Sequence, residues 1–176
     1  KEVIRDRDII EVDITGFPAR PNGFGICFPR GRMFVAGPHG FDGGDKQLGG
    51  DLHFYLKETY QGAVVCFGVS HEKIDGLTVV HGSSKGYGGN SHNQKSGRTE
   101  IRGDGDYYDG SGMSGDVLVV EGASGPGTGD MMTAGKIYAG RLKRTPKGAP
   151  EPKILGTGAV YEKRWSLQWP PKQYVQ

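Results

Sequence analysis

The chain has 176 residues, with 22 Lys or Arg, 20 Asp or Glu and a formal net charge of +2. That length fits one domain with a real core, and an aromatic content of 10 % supplies enough large apolar side chains to exclude a disordered chain. Glycine is the outlier, at 32 residues. That is about 18 % against a usual ~7 %, and the absence of a three-residue period excludes collagen.

In chain order, residues 9–14 alternate apolar and charged side chains over their later half, as a half-buried strand does. Thr15 to Gly23 contains Pro18 and Pro21 and cannot lie inside a sheet. Phe24 to Phe28 and Arg32 to Ala36 are the next short apolar runs, followed by a loop rich in Gly, Asp and His from Gly37 to Gly50. Asp51 to Lys57 and Ala63 to Val69 read as a strand pair around Glu58 to Gly62. Further strands are expected at Leu77 to His81, Arg98 to Arg102, Val117 to Val120, Lys136 to Leu142, Ile154 to Tyr161 and Arg164 to Trp169. No stretch repeats at the helical period, and no internal repeat stands out among the apolar runs. The expectation is an all-β single domain over residues 1–169, an open barrel or pseudobarrel with long glycine-rich loops, and a tail at 170–176.

Charge is unevenly placed. Residues 131–176 hold nine basic residues against Glu151 and Glu162, for a local charge of +7, while the first 130 carry −5. A basic segment on a mildly acidic body suits phosphate or an acidic partner. Cys27 and Cys66 lie in apolar runs and read as core side chains. No apolar run is long enough to cross a bilayer, so no membrane contact is expected and cytoplasmic residence is the default.

Several motifs fail on their chemistry. Asp104 to Asp116 concentrates carboxylates, but Asp109 and Gly115 stand where a calcium loop of the helix–loop–helix type needs glycine and glutamate. Gly110-Ser-Gly112-Met-Ser-Gly115 matches a dinucleotide fingerprint in form only, because a strand, not a helix, follows it. The histidines (His39, His53, His71, His81 and His92) show no zinc spacing. No metal or cofactor site and no catalytic activity are expected, the least supported option being a hydrolase using His71 or His81 with a carboxylate.

The run Gly-Phe-Gly-Ile-Cys-Phe-Pro-Arg-Gly at 23–31, the basic stretch Lys95-Ser-Gly-Arg98-Thr-Glu-Ile-Arg102 and Ser114-Gly-Asp-Val-Leu-Val-Val-Glu121 together resemble the DNA-binding pseudobarrel. That family includes plant transcription-factor domains and recognition domains of restriction endonucleases. The resemblance covers roughly residues 9–121. It implies two arms gripping the major groove, here Gly16 to Gly23 with Arg30 and Arg32, and Lys85 to Arg102. A PUA-like base-flipping domain is a second resemblance, through Val35-Ala-Gly-Pro-His-Gly40 and Tyr108-Asp-Gly110.

Independently, Arg and Lys read guanine and Asn reads adenine in the major groove, and Arg20, Asn22, Arg30, Arg32, Asn93, Lys95, Arg98 and Arg102 fall in or beside expected loops. Lys143 and Arg144 would hold the phosphate backbone. The expected function is therefore recognition of a short or modified sequence in double-stranded DNA, as by the recognition module of a restriction system, with any catalysis on another domain. The rival from another class is a phage-structural or surface carbohydrate-binding β-module, supported by the glycine content and by Tyr87, Tyr107 and Tyr108.

Overall fold

The structure, a computed structural model, describes residues 5, 7–16, 21–38, 40, 42–55, 64–66, 69–84 and 89–163. Ten strands follow one another: β1 (Ile9–Asp13), β2 (Arg32–Ala36), β3 (Asp51–Tyr55), β4 (Val64–Cys66), β5 (Leu77–His81), β6 (Ser83–Ser84), β7 (Arg98–Ile101), β8 (Ser114–Ser124), β9 (Ala134–Leu142) and β10 (Ala159–Glu162). Eight of them form one sheet in the order β1-β2-β3-β5-β7-β8-β9-β10, and β4 pairs with β6 in a second, small sheet. Every pairing is parallel. The all-β expectation holds, but the strands stack as the coils of a β-solenoid and do not close into a barrel. Asp51 to Lys57 and Ala63 to Val69 are not partners either: β3 lies between β2 and β5. The run at 24–28 is a turn, Ile154 to Gly158 precedes its strand, and Arg164 to Trp169 lies outside the described residues. No helix long and apolar enough to cross a membrane occurs among the described residues.

Register explains the core. Parallel strands in a solenoid put like positions of successive coils above one another, so alternation along each strand becomes columns across the sheet. One inward column runs Ile10, Met33, Leu52, Thr78, Thr99, Leu118, Ile137 and Val160; another runs Val12, Val35, Phe54, Val80, Ile101, Val120 and Ala139. Apart from Thr78, Thr99 and Ala139, these side chains join Ile14, Phe28, Val69, Met113 and Met132 in one apolar core cluster.

A repeated corner closes each coil. Residue pairs Gly25/Cys27, Gly44/Lys46, Ser70/Glu72, Ser91/Asn93, Gly110/Gly112 and Gly129/Met131 all have positive φ. The first member of each pair stands seven residues before Arg32, Asp51, Leu77, Arg98, Val117 and Lys136, which share one register position on the sheet. So the chain does repeat, and the repeat lies in the corners, not in the apolar runs. The first corner position is buried and small; the third points outward. Its N–H reaches the next coil: Cys27 donates to the carbonyl of Asp45, Lys46 to His71, Glu72 to His92, Asn93 to Ser111, Gly112 to Asp130 and Met131 to Lys153, at 2.8–2.9 Å. Left-handed conformations at serine and lysine cost about 1 kcal/mol or more each, and this lateral ladder offsets them. Cys27 therefore sits exposed at a corner and not in the core as its apolar neighbours suggested.

One residue beyond the corner, the side chain turns inward, and here the core is partly polar. Phe28, Gln47, Lys73, Gln94, Met113 and Met132 occupy that position and all are buried. Gln47 Nε2 donates to the carbonyls of Gly49, Gly50 and Leu77, and Gln47 Oε1 accepts from Thr78. Gln94 Oε1 accepts from Thr99, and its amide donates to the carbonyl of Gly97. Lys73 Nζ, between them, donates to the Arg98 carbonyl with Thr78 and Thr99 alongside. Buried polar groups are tolerable only when paired in this way.

A second buried network surrounds Asp109. Its Oδ1 accepts from the side-chain and backbone N–H groups of Asn90, and its Oδ2 accepts from Ser124. Burial pushes the Asp109 carboxyl up to about 6. Asp109→Ala strands the Asn90 amide and the Ser124 hydroxyl in the core, and is expected to cost about 3 kcal/mol. A urea unfolding midpoint checks this, and an unchanged midpoint would contradict it.

Candidate functional site

The sheet face turned away from the main core is only partly open, since Val79, Val117, Val119 and Tyr138 on it are buried. Arg32, Asp51, Leu77, Arg98, Val117 and Lys136 form one outward column, and Phe34, His53, Val79, Glu100, Val119, Tyr138 and Tyr161 form the next. Rings stack along it: Phe34 on His53 at 4.8 Å, His53 on His81 at 5.5 Å, and Tyr138 on Tyr161 at 5.1 Å between centroids. His53 Nδ1 and His81 Nε2 are 3.2 Å apart. Burial, and then the neighbouring His81, lowers the pKa of His53; burial, and then Arg102, lowers that of His81. Two neutral imidazoles sharing one hydrogen fit this geometry. Neither has a nucleophile beside it in the described hydrogen bonds.

The expected DNA readers are not gathered on one surface. Arg20 lies outside the described residues. Asn22 and Arg30 are exposed in the first coil, and Asn93 and Lys95 are exposed at and just after a corner. Asn93 has a φ of 54°, a conformation Asn adopts more readily than most side chains, so its place is accounted for by the corner. Arg32 lies 3.5 Å from Asp51. Arg98 Nε is 2.5 Å from Glu100, while Arg102 bridges Glu100 and Glu121. Their guanidinium groups are thus already spent on carboxylates, Glu100 in the same coil and Asp51 and Glu121 in the next. Glu100 stands two residues from both Arg98 and Arg102, on the same face of an extended strand, while Asp51 and Glu121 lie one coil away from Arg32 and Arg102 and no sequence spacing reveals them.

Lys143 and Arg144 do share a feature. With Thr128, Arg141, Glu151 and Glu162 they line an open groove of about 670 Å³ beside the last coils. Glu162 accepts from the Leu142 amide and Glu151 from the Thr145 hydroxyl, whereas Arg141, Lys143 and Arg144 make no ion pair among the described residues.

The corners bring a third group together. Asp45, His71 and His92 occupy the middle corner position in three successive coils. Asp45 Oδ1 accepts the His71 backbone N–H at 3.1 Å, and Asp45 Oδ2 faces His71 Nδ1 at 3.7 Å. The rings of His71 and His92 meet edge to face at 6.0 Å. Burial pushes the Asp45 carboxyl up to about 6, against the lowering effect of His71, and Asp42 adds to the rise. Asp42, Asp45 and His71 present three donor atoms within 4.8 Å of one another. Ser70, next to His71, is buried and donates to Thr78, so no serine nucleophile faces this histidine. Only the repeating corner spacing could have aligned Asp45 with His71 from sequence.

The carboxylates of 104–116 serve separate coils. Asp104 accepts from the Ala123 amide, Asp116 from the Gly97 amide, and Asp109 turns into the core. Comparison with known protein families, curated proteins and solved structures finds no match.

Proposed function

We propose that this chain is a non-enzymatic structural module, of the virion- or cell-surface kind, that acts as a rigid solenoid spacer. The corner ladder supports this reading most directly, since six corners hand their N–H groups to the next coil in the same way. Eight parallel strands at ~4.8 Å spacing form a block roughly 34 Å long. The charged side chains of the outer face answer one another, and the exposed Tyr107 and Tyr108 offer flat ring faces to a partner. Hydrogen exchange tests the rigidity. The amides of Val35, Phe54, Val80, Ile101, Val120 and Ala139 are expected to exchange together at the rate of global unfolding. Coils that open independently, each at its own rate, would overturn the spacer reading.

Recognition of double-stranded DNA is the second reading, favoured by one observation: Arg141, Lys143 and Arg144 make no ion pair among the described residues and stand beside an open groove. Contacts of that kind reach phosphate and set affinity without reading sequence. Arg98 and Arg102, each already paired, would contribute little. Arg102→Ala is expected to leave any DNA affinity within about twofold and stability within ~1 kcal/mol, as for exposed ion pairs.

A further inference from the structure

We propose that Asp42, Asp45 and His71 bind a single divalent transition-metal ion of the zinc class, which clips two neighbouring coils together. The donors come from successive coils. Asp42 precedes one corner and Asp45 stands at its middle, His71 lies in the next, and the parallel bridge between Gly43 and Val69 sets the two side by side. Zinc holds its ligands at about 2.0–2.1 Å, so two ligand atoms on a tetrahedral ion lie roughly 3.4 Å apart. Asp45 Oδ2 and His71 Nδ1, at 3.7 Å, are close to that spacing.

The state of the imidazole gives a separate argument. His71 Nε2 lies 2.9 Å from the carbonyl oxygen of Gly89. A carbonyl only accepts, so Nε2 carries a hydrogen, and Nδ1, on the side of Asp45, is the ring atom that a metal would bind. A separation of 3.7 Å is too long for a hydrogen bond, so no proton bridges the two atoms. Ligating histidines are commonly oriented in this way, with the far N–H given to a backbone carbonyl. Here that carbonyl belongs to a third coil, outside the donor set.

Charge points the same way. Two carboxylates and one imidazole place their donor atoms within 4.8 Å of one another, and a divalent cation there would balance the two acidic groups. The nearby ammonium of Lys46 is turned to Glu72, at 3.6 Å. One imidazole with two carboxylates suits zinc better than calcium, which takes six to eight oxygen ligands. Three protein ligands leave the remaining position to water.

The test is calorimetric titration of the EDTA-treated full chain with zinc chloride, with circular dichroism to check that each variant is folded. One equivalent is expected to bind. Asp45→Asn keeps an acceptor for the His71 amide, and His71→Gln keeps a donor for Gly89; each is expected to weaken binding at least tenfold. His53→Gln, on the outer face, is expected to bind zinc as the parent does. No heat of binding at 100 µM zinc, a concentration at which a micromolar site would be saturated, would overturn the proposal. So would undiminished binding in both corner variants, or loss of the equivalent in His53→Gln, which would place the ion at the His53–His81 pair.

Discussion

Gly97→Ala is expected to lower the melting temperature by roughly 10 °C, because about 3–4 kcal/mol at ~2–4 °C per kcal/mol is lost. Gly97 precedes β7 with a φ of +77°, and an added Cβ would lie 2.4 Å from the Gly76 carbonyl oxygen and 2.8 Å from the Gly76 nitrogen. Both contacts are backbone of the neighbouring coil, so they can be relieved only by parting two coils that the sheet holds in register. Left-handed strain adds about 1–2 kcal/mol. Gly148 separates the two effects: its φ is +88°, but a Cβ there meets nothing within 4 Å. Gly148→Ala should therefore show the strain alone, about 1 kcal/mol. Gly16, with open space and no positive φ, should tolerate alanine with a change of less than about 0.5 kcal/mol. Thermal unfolding of the three variants checks the order. A Gly97→Ala protein no weaker than Gly148→Ala would contradict the close stacking of coils.

Stability is expected to pass through a minimum between about pH 6 and 7, set by two buried groups of opposite charge type. Burial drives the Lys73 amine down to about 7 from 10.5. Its unfolded form binds the proton more tightly, so between pH 7 and about 10 stability rises with pH. Each pKa unit corresponds to about 1.4 kcal/mol, which makes this limb worth several kcal/mol in order of magnitude. Asp109 works the other way. Its folded pKa of about 6 stands above the ordinary value of 3.8, so the folded state binds the proton more tightly. Its stabilisation is present below pH 4 and is lost as pH rises through 6. Lys73→Met places in this coil the side chain that Met113 and Met132 supply one and two coils beyond Gln94. It is expected to flatten the alkaline limb and raise the melting temperature at pH 7. Denaturant titrations at pH 5, 7 and 9 measure both limbs. An alkaline limb unchanged in Lys73→Met would contradict the assignment to Lys73.

Much of the strand content was legible, because β1, β2, β3, β5, β7, β8 and β9 coincide with short apolar or alternating runs. Pairing was not. An apolar run records that a strand is buried but not which strand lies beside it, so 51–57 and 63–69 looked like neighbours when each pairs elsewhere. The repeat was hidden because the residues between a strand and the next corner vary in number, while those from corner to strand do not. Ser70, Ser91, Cys27 and Lys46 also stand in corner positions where glycine would have announced the turn. The site was less legible than the fold. Arg98 and Arg102 were singled out by residue type, yet Glu100 answers both along the same strand and Glu121 answers Arg102 across the sheet. Lys73 gave no signal in a polar stretch, since only the stacked coils reveal that its position faces inward.

Titration of labelled duplex DNA at about 50 and 200 mM salt, followed by fluorescence anisotropy, tests the structural-module account most directly, because phosphate contacts dominate at the lower salt. The account expects no saturable binding at either salt. Tight binding at 50 mM that falls steeply by 200 mM and disappears in Lys143→Ala/Arg144→Ala would contradict it and assign the last coils to DNA.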